Sequence, residues 1–303
     1  DGLLIMLWGY FLKLVIADRL GIYVDSVYAN LPYFVYSAWY LIIAAVFFML
    51  QIYCDFYGYS MIATGAARIL GIHLMRNFDA PLLSQSTSEL WHRWHISLSS
   101  WFKDYLYIPL GGNRKGKLRK YLNILITFTV SGLWHGANWT FVVWGFLNGM
   151  YQIIGDLLKP VRSFIIRILS LKRDGIGMTV LRIVFTFSLY TISMIFFRSA
   201  SVWEASQIIL AILHADNIWI LFDGTLAMGT GLAQQDIGLL IAALGVLLFS
   251  DILRYKNISA QEIIAKQDWL CQIVIIVFSF LFIMLFGVWG SDYDAANFIY
   301  FQF

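Results

Sequence analysis

Apolar residues run along this chain in blocks too long for the core of a water-soluble domain. Ser26 to Cys54 contains no Lys, Arg, Asp or Glu, and within it Tyr33–Ile52 is dense in aromatic and aliphatic side chains; Trp269 to Ser291 is equally free of charge. A membrane-crossing helix needs about 20 predominantly apolar residues, so each block predicts a span. The second closes on Gly287-Val288-Trp289-Gly290, an aromatic pattern suited to the membrane–water interface.

A third block, Tyr121 to Gly155, also lacks these four residue types. As one helix it would measure on the order of 50 Å, against a hydrocarbon core of roughly 30 Å. It therefore has to tilt, break or double back, and Gly132 and Gly136 are the predicted break points. Flanking charge bears on the choice. Arg114, Lys115, Lys117, Arg119 and Lys120 precede the block, and Lys159, Arg162, Arg167, Lys172 and Arg173 follow it. The excess of basic residues on cytoplasmic loops asks for both clusters on one side. A broken or re-entrant element satisfies both and is the favoured expectation; the alternative assigns the second cluster to a surface helix.

Shorter apolar stretches complete the pattern. Ile183–Phe197 lies between Arg182 and Arg198, and Ile237–Ser250, between Asp236 and Asp251, is short for a full crossing. Leu3–Leu20, interrupted by Lys13, Asp18 and Arg19, reads as a span end or an interfacial helix, and Trp203–Leu213 as another interfacial piece. Asp79–Glu89, Gly111–Lys120 and Lys159–Asp174 are predicted loops, with a turn at Gly111-Gly112-Asn113.

Composition agrees. Hydrophobic residues make up 60% and charged residues 13% of 303, with a mean hydropathy of +0.73. A soluble domain carries about 25% charged residues to wet its surface; here much of the surface must face lipid. A net charge of +3 gives no argument for nucleic acid. Cys54 and Cys271 sit in apolar stretches without disulfide or zinc spacing, so they are expected to be packing residues. The opening at Asp1 has no basic region or cleavage site of a secretory signal, and the chain is read as lacking its N-terminal part.

An ionisable residue at membrane depth costs roughly 2.5–3.5 kcal/mol on insertion scales and is a functional hypothesis by default. His135, in Ser131-Gly132-Leu133-Trp134-His135-Gly136-Ala137-Asn138-Trp139, is the clearest case. Burial favours neutral imidazole, the form a general base needs, and Gly136 beside it is expected to leave room for substrate. The bland alternative is a histidine that only bonds a neighbouring helix. The second feature runs from Glu89 to Arg114. On one helix, Trp91, Trp94, His95, Leu98 and Phe102 would share a face, and His92, Ser99 and Lys103 would begin another. Such a segment suits an interfacial helix or a cavity lining. Asp55, at the end of a span, reads as a buried acceptor, and His73 and His214 as isolated structural residues with no metal cluster.

These motifs resemble the membrane-bound O-acyltransferase family, and more narrowly its bacterial branch that O-acetylates alginate, peptidoglycan and other polysaccharides. The resemblance is carried by Trp91 to Arg114, by Ser131 to Trp139, by Gln51-Ile52-Tyr53-Cys54-Asp55-Phe56-Tyr57-Gly58-Tyr59-Ser60, by Asn77-Phe78-Asp79-Ala80-Pro81 and by Phe298 to Phe303. It spans essentially the whole chain. It implies an all-α, polytopic membrane fold, a single transmembrane domain over 1–303, with tilted, broken and re-entrant helices around a buried histidine. The family's catalytic histidine falls on His135 and its second active-site histidine, in Trp91-His92-Arg93-Trp94-His95, falls on His95. Relatives usually carry arginine where His92 stands, an acidic residue at Met61 and an aromatic at Leu82, so no role passes to those positions.

Trp94, Trp134, Asn138 and Asp55 are the candidate substrate contacts. The resemblance implies a multi-pass protein of the bacterial cell membrane and a cytoplasmic acyl thioester donor such as acetyl-coenzyme A, with no bound cofactor or metal. It also implies a polysaccharide acceptor and an extracytoplasmic acetyltransferase partner. The basic Arg114–Lys120 loop suits an anionic donor, and lipid headgroups equally well. His135 would serve as general base; a protonated His95, or backbone N–H groups near Gly132 and Gly136, would serve the oxyanion. No Gly-x-Ser-x-Gly elbow occurs, which favours direct transfer over a serine acyl-enzyme. D-alanyl transfer toward teichoic acid is the alternative chemistry, and a transporter or an assembly scaffold the alternative classes.

Overall fold

The computed structural model describes residues 2–34, 37–170, 172, 175–214, 217–222, 224 and 229–289. Helices cover Gly2–Tyr10 (α1), Asp18–Ala29 (α2), Leu31–Phe34 (α3), Ala38–Ile69 (α4), Thr87–Arg93 (α5), Ile96–Phe102 (α6) and Gly116–His135 (α7). They continue over Trp139–Leu157 (α8), Lys159–Ile168 (α9), Ile176–Arg198 (α10), Val202–Ile212 (α11), Gln234–Tyr255 (α12), Ala260–Ala265 (α13) and Trp269–Phe286 (α14). No strand occurs among the described residues. By length and composition α4, α10, α12 and α14 can each cross a membrane, and α8 with α9, bent by 49°, passes the same test as a pair. The all-α, polytopic expectation holds. Residues 1–76 with 210–303 form one compact unit and 77–209 a second. The terminal Phe298–Phe303 motif, Arg173 and Asp174 lie outside the described residues.

In the first unit, α1 and α2 are joined by a π-helical stretch, Phe11–Ala17, and pack along α4. Leu3–Leu20, expected as a span end or an interfacial helix, is thus part of a helical segment held inside protein. Glycines make the approach close: a Cβ on Gly2 would lie 2.6 Å from the Gly65 carbonyl oxygen, and one on Gly9 2.6 Å from that of Gly58. The pairing of 2 with 65 and 9 with 58 makes the two helices antiparallel. Small residues are what let helices meet this closely in a membrane.

Charge inside this unit is matched residue by residue, and that moves several predicted boundaries. The Lys13 ammonium lies 2.9 Å from Asp18 and 2.5 Å from Asp55, with all three side chains at most 16% exposed. The π turn, closed by the Asp18 N–H donating to the Lys13 carbonyl, brings Lys13 and Asp18 together five residues apart. With Asp55 neutralised, the span placed at Ser26–Cys54 instead begins at Ala38 and continues past Asp55 to Ile69, while Ser26 to Ala29 belongs to α2. Asp236 and Asp251 were expected to end a fourteen-residue segment; α12 runs through both for 22 residues. Asp236 pairs with Arg19 at 3.0 Å, and Asp251 accepts from the Tyr53 hydroxyl at 3.0 Å. A paired carboxylate no longer needs water. Cys54 is buried as expected, but Cys271 is exposed on α14 rather than packed.

In the second unit α7 and α8 form the antiparallel hairpin that the charge pattern asked for, turning at Gly136–Asn138. Its open end is clasped by Asp156, which accepts from Lys120 Nζ at 2.7 Å, the Tyr121 hydroxyl at 3.1 Å and Lys159 Nζ at 2.6 Å. Lys120 and Lys159, one from each basic cluster, therefore stand at one end. Lys159 to Ile168 is the helix α9 rather than a loop, and α10 begins at Ile176, earlier than predicted, because Arg182 turns its guanidinium back to the Met178 carbonyl at 3.1 Å.

Gly132 is not a break. It lies inside α7, where a Cβ would run into the Phe141 carbonyl oxygen, and a Cβ on Gly145 would meet that of Phe128. Backbone cannot yield as a side-chain tip does. Gly145→Ala is therefore expected to cost about 1–3 kcal/mol, the scale of overpacking. Gly155→Ala, on the same helix with nothing within 4 Å, should be neutral or stabilising by up to about 1 kcal/mol through helix propensity. Thermal unfolding midpoints in one detergent compare the two.

Candidate active site

Both histidines singled out from the sequence belong to the second unit. The predicted single helix through Trp91–Lys103 is not formed: α5 ends at Arg93, Trp94 is extended, and His95 is left-handed at φ 44°, ψ 55°. A left-handed non-glycine residue costs roughly 1–2 kcal/mol, so something must hold it. The segment 77–79 does. The Ile96 N–H donates to the Asn77 carbonyl at 2.9 Å, the Ser97 N–H to Asn77 Oδ1 at 3.2 Å, and the Asp79 N–H to the Arg93 carbonyl at 2.9 Å. These bonds take up the orphan amides at the start of α6 that a continuous helix would have used internally. Arg93 fastens the same loop from the other side, bonding Glu89 at 2.9 Å and the Asp79 carbonyl at 3.0 Å. The Ser86 hydroxyl caps α5, accepting from the Glu89 N–H at 3.1 Å.

The kink aims His95 inward, where it is 8% exposed. Burial, with a smaller contribution from His135, pushes its imidazole down to about 3, so it is neutral at ordinary pH. His135, expected to be buried, ends α7 at the hairpin tip and is half-buried, since only part of its surroundings is packed. Its ring stands edge-on to Trp134, Trp144 and Phe197, at centroid distances of 5.1, 5.2 and 5.3 Å. Aromatic contacts continue from Trp144 to Trp91 at 5.8 Å, on to Tyr190 at 5.9 Å, and to Trp94 at 5.2 Å. One ring lattice thus supports the backbone of both histidines.

The remaining sequence candidates divide. Trp134 is half-exposed beside His135. Trp94 is buried between Phe78 and Tyr190. Asn138 caps α8, accepting from the Thr140 N–H at 3.2 Å and donating to the Ala200 carbonyl at 3.3 Å. Asp55 belongs to the first unit, in its ion pair with Lys13.

Two expectations about glycine are corrected. The room beside Gly136 is filled by the Phe141 ring, which a Cβ there would meet at 2.5 Å. Neither glycine offers an oxyanion amide: Gly132 lies inside α7, where its N–H is used by the helix, and the Gly136 N–H donates to the Leu133 carbonyl at 3.3 Å. His92 bonds the Ser88 carbonyl of its own helix at 2.6 Å. Among the described residues no group of three or more His, Cys, Asp or Glu could hold a metal. A cavity of about 580 Å³ lies in the first unit, along Trp8, Phe11, Arg76, Arg254 and Phe278, and neither histidine lines it.

Sequence reasoning missed Trp144, Tyr190, Phe197 and Ser97. Tyr190, Thr191 and Ser193 do interrupt the apolar run of α10 with polar groups, and all three are buried. That was the available signal.

The sequence profile of the membrane-bound O-acyltransferase (MBOAT) family matches residues 3–202. The chain is 36% identical over 257 residues to a "probable alginate O-acetylase AlgI" of Pseudomonas putida, covering 85% of this chain and 50% of that protein. It is 40% identical over 150 residues to a "peptidoglycan O-acetyltransferase" of Helicobacter pylori, with 49% and 28% covered. It is also 37% identical over 113 residues to a "teichoic acid D-alanyltransferase" of Streptococcus thermophilus, with 35% and 27% covered. The chain spans about half the length of the alginate-type relatives it matches.

Proposed function

The chain belongs to the membrane-bound O-acyltransferase family, and from that membership and its paired histidines we propose that the protein moves an acyl group, in the first place acetyl, from a thioester donor to a hydroxyl of a cell-envelope polysaccharide or of a partner transferase. The observation that carries this reading is that both motif histidines fall in one compact unit, where a chain of ring contacts runs from His135 through Trp144, Trp91 and Tyr190 to Trp94, the neighbour of His95.

His135 acts as the general base. As it takes the proton of the acceptor hydroxyl, the oxygen attacks the thioester carbonyl; collapse of the tetrahedral intermediate expels the thiolate, which recovers the proton from the imidazolium. Such a base contributes about 10²–10⁴-fold. Trp134 lines the approach to His135, while Trp94 and Asn138 act one step back, as supports of the loop and of the hairpin tip. Donors enter from the end carrying Arg114–Lys120, whose charge suits a phosphate-bearing carrier, and an extracytoplasmic acetyltransferase receives the acyl group on the other side.

The similarity to a D-alanyltransferase supports a second donor. Membranes containing the full-length protein, supplied separately with acetyl and D-alanyl thioesters, separate the two. Ester formation from the acetyl donor alone is expected. Transfer from the D-alanyl donor alone would replace the acetyl reading, and transfer from neither would end both.

A further inference from the structure

Ser97 holds information about a proton. Its backbone N–H and its hydroxyl both face Asn77 Oδ1, at 3.2 and 2.7 Å. A backbone N–H can only donate, so the Asn77 atom facing it has to be the amide oxygen, which fixes the orientation of that side chain. The Ser97 hydroxyl, 2.7 Å from the same oxygen, must then donate its one hydrogen there. On its other side Ser97 Oγ lies 3.4 Å from His95 Nδ1. With its hydrogen spent, Oγ meets that nitrogen as an acceptor, and Nδ1 supplies the hydrogen.

We propose that Asn77 and Ser97 form a positioning relay that holds His95 as its Nδ1–H tautomer, so that the ring presents Nε2, on the side away from Ser97, as a proton acceptor. The consequence for transfer rests on the acyltransferase reading above. His95 in this state does not donate to an oxyanion; it accepts, from the incoming hydroxyl or from the N–H of His135, and thereby sets which nitrogen of His135 is basic. Second partners of this kind fix ring tautomer and orientation wherever histidine works as ligand or base. The arrangement also accounts for the strained backbone: the left-handed turn at His95 is what brings Ser97 to Asn77 Oδ1 with the His95 imidazole beside the Ser97 hydroxyl.

The test is nitrogen-15 NMR of the full-length protein labelled at histidine and reconstituted in nanodiscs, with the His95 signals assigned by comparison with the His95→Gln variant. In the wild type the His95 pattern should show Nδ1 protonated and Nε2 bare. Ser97→Ala should shift it toward the other tautomer and lower turnover by about 10–100-fold, the usual scale for losing a ring-orienting partner, with little change in donor KM. Ser97→Thr should restore both. A wild-type proton on Nε2 would overturn the assignment; an altered tautomer with unchanged turnover would overturn the positioning role. A wild type with the expected tautomer and no acyl transfer from any thioester would sink the functional reading and leave the assignment standing.

Discussion

His135→Gln is expected to lower acyl ester formation by about 10²–10⁴-fold, the span ascribed to a positioned general base, without lowering the amount of protein in the membrane. Glutamine fills most of the space that the ring occupies against Trp144 and Phe197 and removes the basic nitrogen. His135→Ala removes the base and also leaves a hole in the aromatic lattice, so comparing the two separates chemistry from packing. The readout is acetyl ester content of envelope polymers at matched expression, alongside the melting temperature of the purified variants. Esters at wild-type levels with His135→Gln would take the base role away from this residue, and substrate flux that persisted without esters would favour a transporter.

The largest effect on stability should come from Lys13. Lys13→Met retains the length and apolar stem of the side chain but leaves Asp18 and Asp55 facing each other in a site where Lys13 is 5% and Asp55 3% exposed. Breaking a buried ion pair by deleting one partner costs about 3–5 kcal/mol, far more than the pair contributes over a neutral replacement. Lys13→Met combined with Asp18→Asn and Asp55→Asn should therefore recover most of the loss. Unfolding midpoints in detergent measure both. If Lys13→Met melts with the wild type, the network does not hold α1 against α4.

The fold was legible wherever lipid was the deciding solvent. Charge-free length located α4 and α14, and the two basic clusters favoured a broken or re-entrant element between them because a single crossing would have divided them. What failed were boundaries set by charge. Asp55, Asp236 and Asp251 ended segments on paper because an unpaired carboxylate cannot enter hydrocarbon; each has a partner from a distant part of the chain, and such pairing leaves no trace in local sequence. The helix expected through Trp91–Lys103 failed for a similar reason. Its periodicity was correct, and three bonds to the Asn77 loop outweighed it. At the candidate site, His135 was singled out as an ionisable residue at membrane depth and His95 through the motif resemblance. Their supports on α8 and α10 were not, because aromatic residues inside apolar helices look alike whether they face lipid or a histidine.

Fifteen positions of α7 separate Lys120, at the clasped foot of the hairpin, from His135 at its tip, about 22 Å at 1.5 Å per residue. In the function proposed above, a carrier held by its charged head near the foot would need a tether of about that reach, and the rod would set that length. Under that same proposal, gripping and bond-making would also fall on separate stretches of chain. Over evolutionary time, one end could be retuned to a new carrier while the chemistry at the other stayed as it was.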